Sequence, residues 1–118
     1  MKTIEELSKE LKQAYHMLTT FLEQQAVEEL QYMAALEALT AQRKTILRDT
    51  EAKDLGANEA QRSAKIDGLC AAELQQVVYV ERKRVMRRME VETARLQVEA
   101  LRCELRLLEV GLGIQRAA

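Results

Sequence analysis

Two rows of apolar residues run along this chain at the alternating three- and four-residue steps of a helical heptad. The first passes through Ile4, Leu7, Leu11, Ala14, Leu18 and Phe21, meets polar residues at Gln25 and Glu28, and resumes at Tyr32, Ala35, Leu39, Gln42 and Ile46. The second passes through Ile66, Cys70, Glu73, Val77 and Val80, meets Arg84 and Arg87, and resumes at Val91, Ala94, Val98, Leu101, Leu105 and Leu108. Steps averaging about 3.5 residues keep all members of a row on one side of a helix. The pattern predicts two helical arms, about 3–54 and about 59–110, joined by a turn at 55–58.

Local punctuation places the ends. Thr3 with Glu6 forms a capping-box pattern, which predicts the start of the first arm. Arg48, Lys53 and Gly56 suit its end, with Gly56 expected in the left-handed conformation that closes many helices. Asn58 is a good cap for the second arm, Glu59 suits the positive end of its dipole, and Gln61 completes a second capping box. Gly111 and Gly113 are expected to stop that arm near Val110. Thr20 with Glu23 repeats the capping pattern, and Gly68 after Asp67 is a weak point. Breaks at those two places give the alternative architecture, a compact three- or four-helix monomer.

An antiparallel fold about Gly56 makes facing residue numbers sum to about 112. Ile4 then meets Leu108, Leu7 meets Leu105, Leu11 meets Leu101 and Ala14 meets Val98. Leu18 meets Ala94, Phe21 meets Val91, Tyr32 meets Val80, Ala35 meets Val77 and Ile46 meets Ile66. Gln25 falls opposite Arg87 and Glu28 opposite Arg84. A slide by one heptad sets those four polar groups against apolar partners, so they are expected to form a layer that sets the register. Flanking charges follow the same alignment: Glu23 with Arg87 or Arg88, Glu29 with Lys83, Glu10 with Arg102, and Glu6 with Arg106.

A further apolar stripe lies off the second row, at Leu74, Val78 and Val85 and then Met89, Leu96, Ala100, Cys103, Leu107 and Val110. The first arm adds Tyr15, Leu22, Ala26, Leu30, Met33 and Leu36 away from its row. A helix apolar on two faces needs two neighbours. The expected fold is therefore all-α, a long antiparallel two-helix hairpin, coiled-coil-like, forming one domain. The expected assembly is a homodimeric four-helix bundle or a complex with another, unidentified protein.

Composition narrows the class. There is no proline, aromatics make up 3% of the 118 residues, and only four glycines are available for turns, which leaves little from which to build a sheet. A net charge of −1 exerts no global pull toward nucleic acid or anionic membrane. The chain through Ala57 carries net −3 and the remainder net +2, a mild difference that favours pairing of the arms. Cys70 and Cys103, on one predicted helix, stand about 50 Å apart, beyond disulfide reach. Free thiols, a start without a signal-peptide pattern and no apolar run of about 20 residues point to a cytoplasmic protein without a membrane partner.

Candidate chemistry is sparse. The run 81–90 holds Arg82, Lys83, Arg84, Arg87 and Arg88, which suit phosphates on a nucleic acid. No aromatic lies within it to stack on bases, and Glu23, Glu28 and Glu29 are placed to neutralise it, so nucleic acid is the less favoured partner. His16, the one histidine, has no second ligand at metal spacing. Both cysteines are expected to be buried small hydrophobes, and Met17, Met33, Met86 and Met89 to fill core rather than form a docking face. No phosphate-binding loop, nucleophile elbow or zinc-protease pattern occurs, so no enzyme and no cofactor are expected.

The segment Asp54-Leu55-Gly56-Ala57-Asn58-Glu59-Ala60-Gln61-Arg62-Ser63-Ala64-Lys65-Ile66 resembles a pattern in small bacteriophage and prophage proteins. There a Gly-x-Asn-Glu-x-x-Arg-x-Ala stretch links two helical arms, and the second ends in a Leu/Arg-rich tail like Leu101-Arg102-Cys103-Glu104-Leu105-Arg106-Leu107-Leu108. That resemblance implies a coiled-coil protein encoded among early or replication and recombination functions. It assigns no binding residue. The arm around Leu36 to Leu47 is also similar to long-helix chaperones and stalk proteins of flagellar and type III secretion systems. The leading expectation is a non-enzymatic protein that binds protein partners through its second apolar stripe. A nucleic-acid-binding accessory protein and a secretion chaperone are the alternatives.

Overall fold

The structure of the protein, a computed structural model, describes residues 1–117. Among them are four helices and no strand: α1 (Ile4–Asp49), α2 (Ala52–Leu55), α3 (Glu59–Leu69) and α4 (Ala71–Ala117). The chain divides into two compact units. One comprises Met1–Gln25 together with the chain from Met86 onward, and the other is Ala26–Val85.

α1 begins where Thr3 caps it. The Glu6 backbone N–H donates to Thr3 Oγ1 at 3.1 Å, satisfying one of the amides that a helix start leaves without a partner. The helix then passes Thr20 without a break. The Thr20 hydroxyl donates to the His16 carbonyl at 3.0 Å, so it bonds back along the helix instead of capping a new one. α1 ends at Asp49, earlier than the 54 expected, and the single turn α2 takes up the remainder before the glycine.

At the first unit's core, Leu7 and Ala14 of α1 pack with Val98 and Leu101 of α4, and Leu11, Leu18, Leu105 and Leu108 close around them. The same stretch of α4 buries Val91 and Ala94. Each large aliphatic side chain removed from water here contributes about 1.5–3 kcal/mol before the entropy of ordering it.

The second unit has a smaller apolar cluster, Leu39, Ile46, Leu55 and Cys70, flanked by Ile66, Leu74 and Val77. Leu55, from the last turn of α2, brings the connection into this cluster. Gly56 follows with φ 137° and ψ 167°. That is the extended mirror-image region, not the left-handed helical one expected, and it is open essentially to glycine alone. A Cβ at position 56 would also stand 2.7 Å from Gln61 Cβ. Asn58 then caps α3, its Oδ1 accepting from the Gln61 backbone N–H at 2.9 Å. Gln61 Oε1 accepts from the Ala57 backbone N–H at 2.9 Å, so the return bond reaches one residue further back than a capping box requires.

The other three glycines also behave differently from expectation. The irregularity between α3 and α4 falls at Cys70, two residues beyond Gly68, where the Cys70 N–H is shared between the carbonyls of Ile66 (3.0 Å) and Asp67 (3.2 Å). α4 also continues through Gly111 and Gly113 to Ala117 instead of stopping near Val110. A glycine in a helix costs about 1 kcal/mol against alanine, which weakens the helix without ending it.

Candidate functional site

In the second unit the inner row of α1 carries Glu28, buried at 7% exposure. Beside it on α1 lies Glu29, and Arg84 of α4 reaches that carboxylate: Nη1 stands 3.2 Å from Glu29 Oε2 and Nη2 2.9 Å from Glu81 Oε2. The guanidinium carbon lies 3.9 Å from the centre of the Tyr32 ring, a stacked cation–π contact. Glu81's hydrogen bond holds the Arg84 charge above the ordinary arginine range; partial desolvation opposes it and Glu29 adds to it. The expected partner of Glu29 was Lys83. Arg84's longer forked side chain takes that carboxylate, while Lys83 Nζ sits 5.4 Å over the Tyr79 ring. Arg82 is exposed.

The first unit holds the other two cations of the basic run. Arg87 Nη1 bonds Glu90 Oε2 at 2.9 Å, and its guanidinium lies 5.6 Å from the Phe21 ring. Arg88 is exposed and engaged with neighbouring groups. Gln25 is half-buried. Glu10 was expected to meet Arg102; it accepts from Lys2 Nζ at 2.9 Å, a partner just ahead of the start of its own helix. Carboxylates or rings therefore already hold Lys83, Arg84 and Arg87. A cation neutralised in this way releases fewer counterions on meeting a phosphate backbone.

The larger unassigned feature is the outer face of α4 in the first unit. Met86, Met89, Leu96, Leu107 and Val110 are all more than half exposed, Leu107 reaching 73%. Thr93, Ala100 and Cys103 are exposed as well, and they fill the remaining steps. From Met86 to Val110 the spacing is three, four, three, four without interruption, a second heptad row on the side of α4 opposite Val91, Ala94, Val98 and Leu101. The cysteines and methionines depart from expectation. Cys70 is buried but Cys103 is exposed, and Met17, Met33, Met86 and Met89 are all exposed, so none of the four fills the core. The reason is geometric: two packed helical segments share one inner face, and residues half a turn away have no neighbour to pack on.

Alongside that row, Ala14, Met17 and Phe21 of α1 and Met89, Thr93 and Ala94 of α4 line a groove of about 450 Å³, rimmed by Glu90 and Gln97. Met86 and Thr93 complete the row, in place of the Val85 expected on this stripe. Their three- and four-residue spacing to Met89 and Leu96 was the available signal.

Among the described residues, no three His, Cys, Asp or Glu side chains converge as a metal site. His16 is exposed. No described helix is long and apolar enough to cross a membrane. Comparison with known protein families, curated proteins and solved structures finds no match for this chain.

Proposed function

We propose that this chain is a cytoplasmic, non-enzymatic helical-hairpin protein of phage or prophage kind that binds protein partners through an apolar helical face. The observation that carries this reading is the exposed heptad row from Met86 to Val110. A row this regular is the seam of a helix–helix contact, and exposed apolar patches of this kind mark interaction surfaces. A covering helix satisfies it, whether from a second copy in a four-helix bundle or from another protein. Nucleic-acid binding through Arg82, Lys83, Arg84, Arg87 and Arg88 has weaker support, because Lys83, Arg84 and Arg87 already have partners within the chain.

A photo-crosslinking residue tests this reading. Placed at Leu96 it captures a discrete protein adduct in the host cell, whereas placed at the exposed polar position Glu37 it does not. Equal capture at both sites, or a salt-sensitive shift of labelled DNA at about 50 mM salt without protein capture, overturns it.

A further inference from the structure

We propose that the outer row of α4 from Met86 to Val110 docks an amphipathic helix whose apolar seam is flanked by lysine or arginine, and not a second copy of this chain. Such a partner presupposes the protein-binding role given above and adds the charge that selects it. The row extends about 36 Å at 1.5 Å per residue, long enough for more than three heptads of a partner helix. Its two sides are set by the same seven-residue repeat. Positions 92, 99 and 106 fall along one side and 90, 97 and 104 along the other. The occupants are Glu92, Glu99 and Arg106, and Glu90, Gln97 and Glu104. Glu92, Glu99 and Glu104 are exposed, whereas Glu90 is bonded to Arg87.

These borders disfavour a copy of the chain in either direction. In a parallel pair in register, Glu99 of each copy comes level with Glu104 of the other. In an antiparallel pair that overlaps the whole row, Glu92 meets Arg106 favourably. Glu99 then meets its own counterpart, and Glu90 meets Glu104. Like charges along a seam select against a pairing, and opposite charges select for it. A basic-bordered helix meets attractive carboxylates on both sides in either direction. The groove beside Met89 and Thr93 offers its apolar side chains a recess, with Met17 on the far wall adapting to their shape.

Two synthetic helical peptides of about three heptads, with leucine along the seam and either lysine or glutamate at the bordering positions, test this on the full chain. Affinity is read by fluorescence anisotropy, oligomeric state by sedimentation, and occupancy of the face by thiol labelling. Cys70 is fully buried, so the accessible thiol is Cys103, within the row. The chain is expected to sediment as a monomer and to bind the lysine peptide at least about tenfold more tightly than the glutamate peptide, less so as salt rises. Binding slows Cys103 labelling. The exposed double variant E92K/E99K reverses the preference without touching the core, and Leu96→Glu loses both peptides. A concentration-dependent dimer that protects Cys103 and is dissociated by Leu96→Glu overturns the basic partner while leaving the protein-binding role intact. Equal binding of both peptides does the same. A monomer that binds neither peptide overturns both.

Discussion

The two units use different stretches of α1 and α4, and use them to different ends. In the first, α1 and α4 meet through aliphatic layers at Leu7, Ala14, Val98 and Leu101, and the main irregularity is on the outside, where α4 is apolar a second time. In the second, the apolar cluster is joined by a buried glutamate, a stacked and doubly bonded arginine, and a connection held by backbone geometry at Gly56 and a cap at Asn58. The first unit depends on area removed from water, which is non-directional. Stability in the second rests more on groups that must stand at particular angles. Apolar side chains are exposed in both units, Leu30, Met33 and Leu47 among them in the second, but the unbroken three- and four-residue outer row belongs to α4 in the first.

Substitutions that separate the two modes should differ in size and sign. The largest effect is expected in the first unit: Leu101→Ala, at 4% exposure, should lose about 2–5 kcal/mol in urea unfolding, toward the lower end if the thin layer collapses around the void. A loss below that range would mean that aliphatic packing does not dominate there. Next comes Gly56→Ala in the second unit. Its φ of 137° and the close approach of Gln61 Cβ predict a loss of about 1–3 kcal/mol. Gly68→Ala, with nothing within 4 Å of the added Cβ, should instead stabilise by about 0.5–1 kcal/mol. Equal effects at the two glycines would remove the special role given to the connection.

Smaller again is Asn58→Ala, expected to cost about 1 kcal/mol, with Asn58→Asp close to neutral because a carboxylate oxygen also accepts from the Gln61 amide. The smallest effect belongs to Lys2. Its hydrogen bond and charge contact with Glu10 raise its pKa above the ordinary lysine value. The contribution is therefore complete below the unfolded-state pKa, about 10.4, and disappears as pH rises through the higher folded-state value. Unfolding midpoints followed upward from that pH should fall slightly more for the natural chain than for Lys2→Met. No difference between them would show that the pair adds nothing in solution.

Much of this was legible before any coordinates. Every member of both inner rows, from Ile4 to Ile46 and from Ile66 to Leu108, is buried or half-buried, because a three- and four-residue spacing leaves a helix one way to face a neighbour. Asn58 was legible for the same kind of reason: few side chains cap a helix start. Charge partners were less so. Arg84 was placed opposite Glu28 by register, but its side chain is long enough to choose among Glu28, Glu29 and Glu81, and ring stacking on Tyr32 enters that choice. Periodicity locates a layer and not a rotamer.

By itself, then, the sequence determined the helical class, the inner face of each helix and the position of the turn, since spacing and capping chemistry act locally. Only the tertiary structure decided which apolar residues remain outside. Met89, Leu96 and Leu107 have the composition of a core, and whether they form one depends on how many helices pack around α4. That number is a property of the assembled layers and is not carried by the heptad. Nor could local patterning settle the conformation of Gly56, which depends on how closely Gln61 approaches it across the turn.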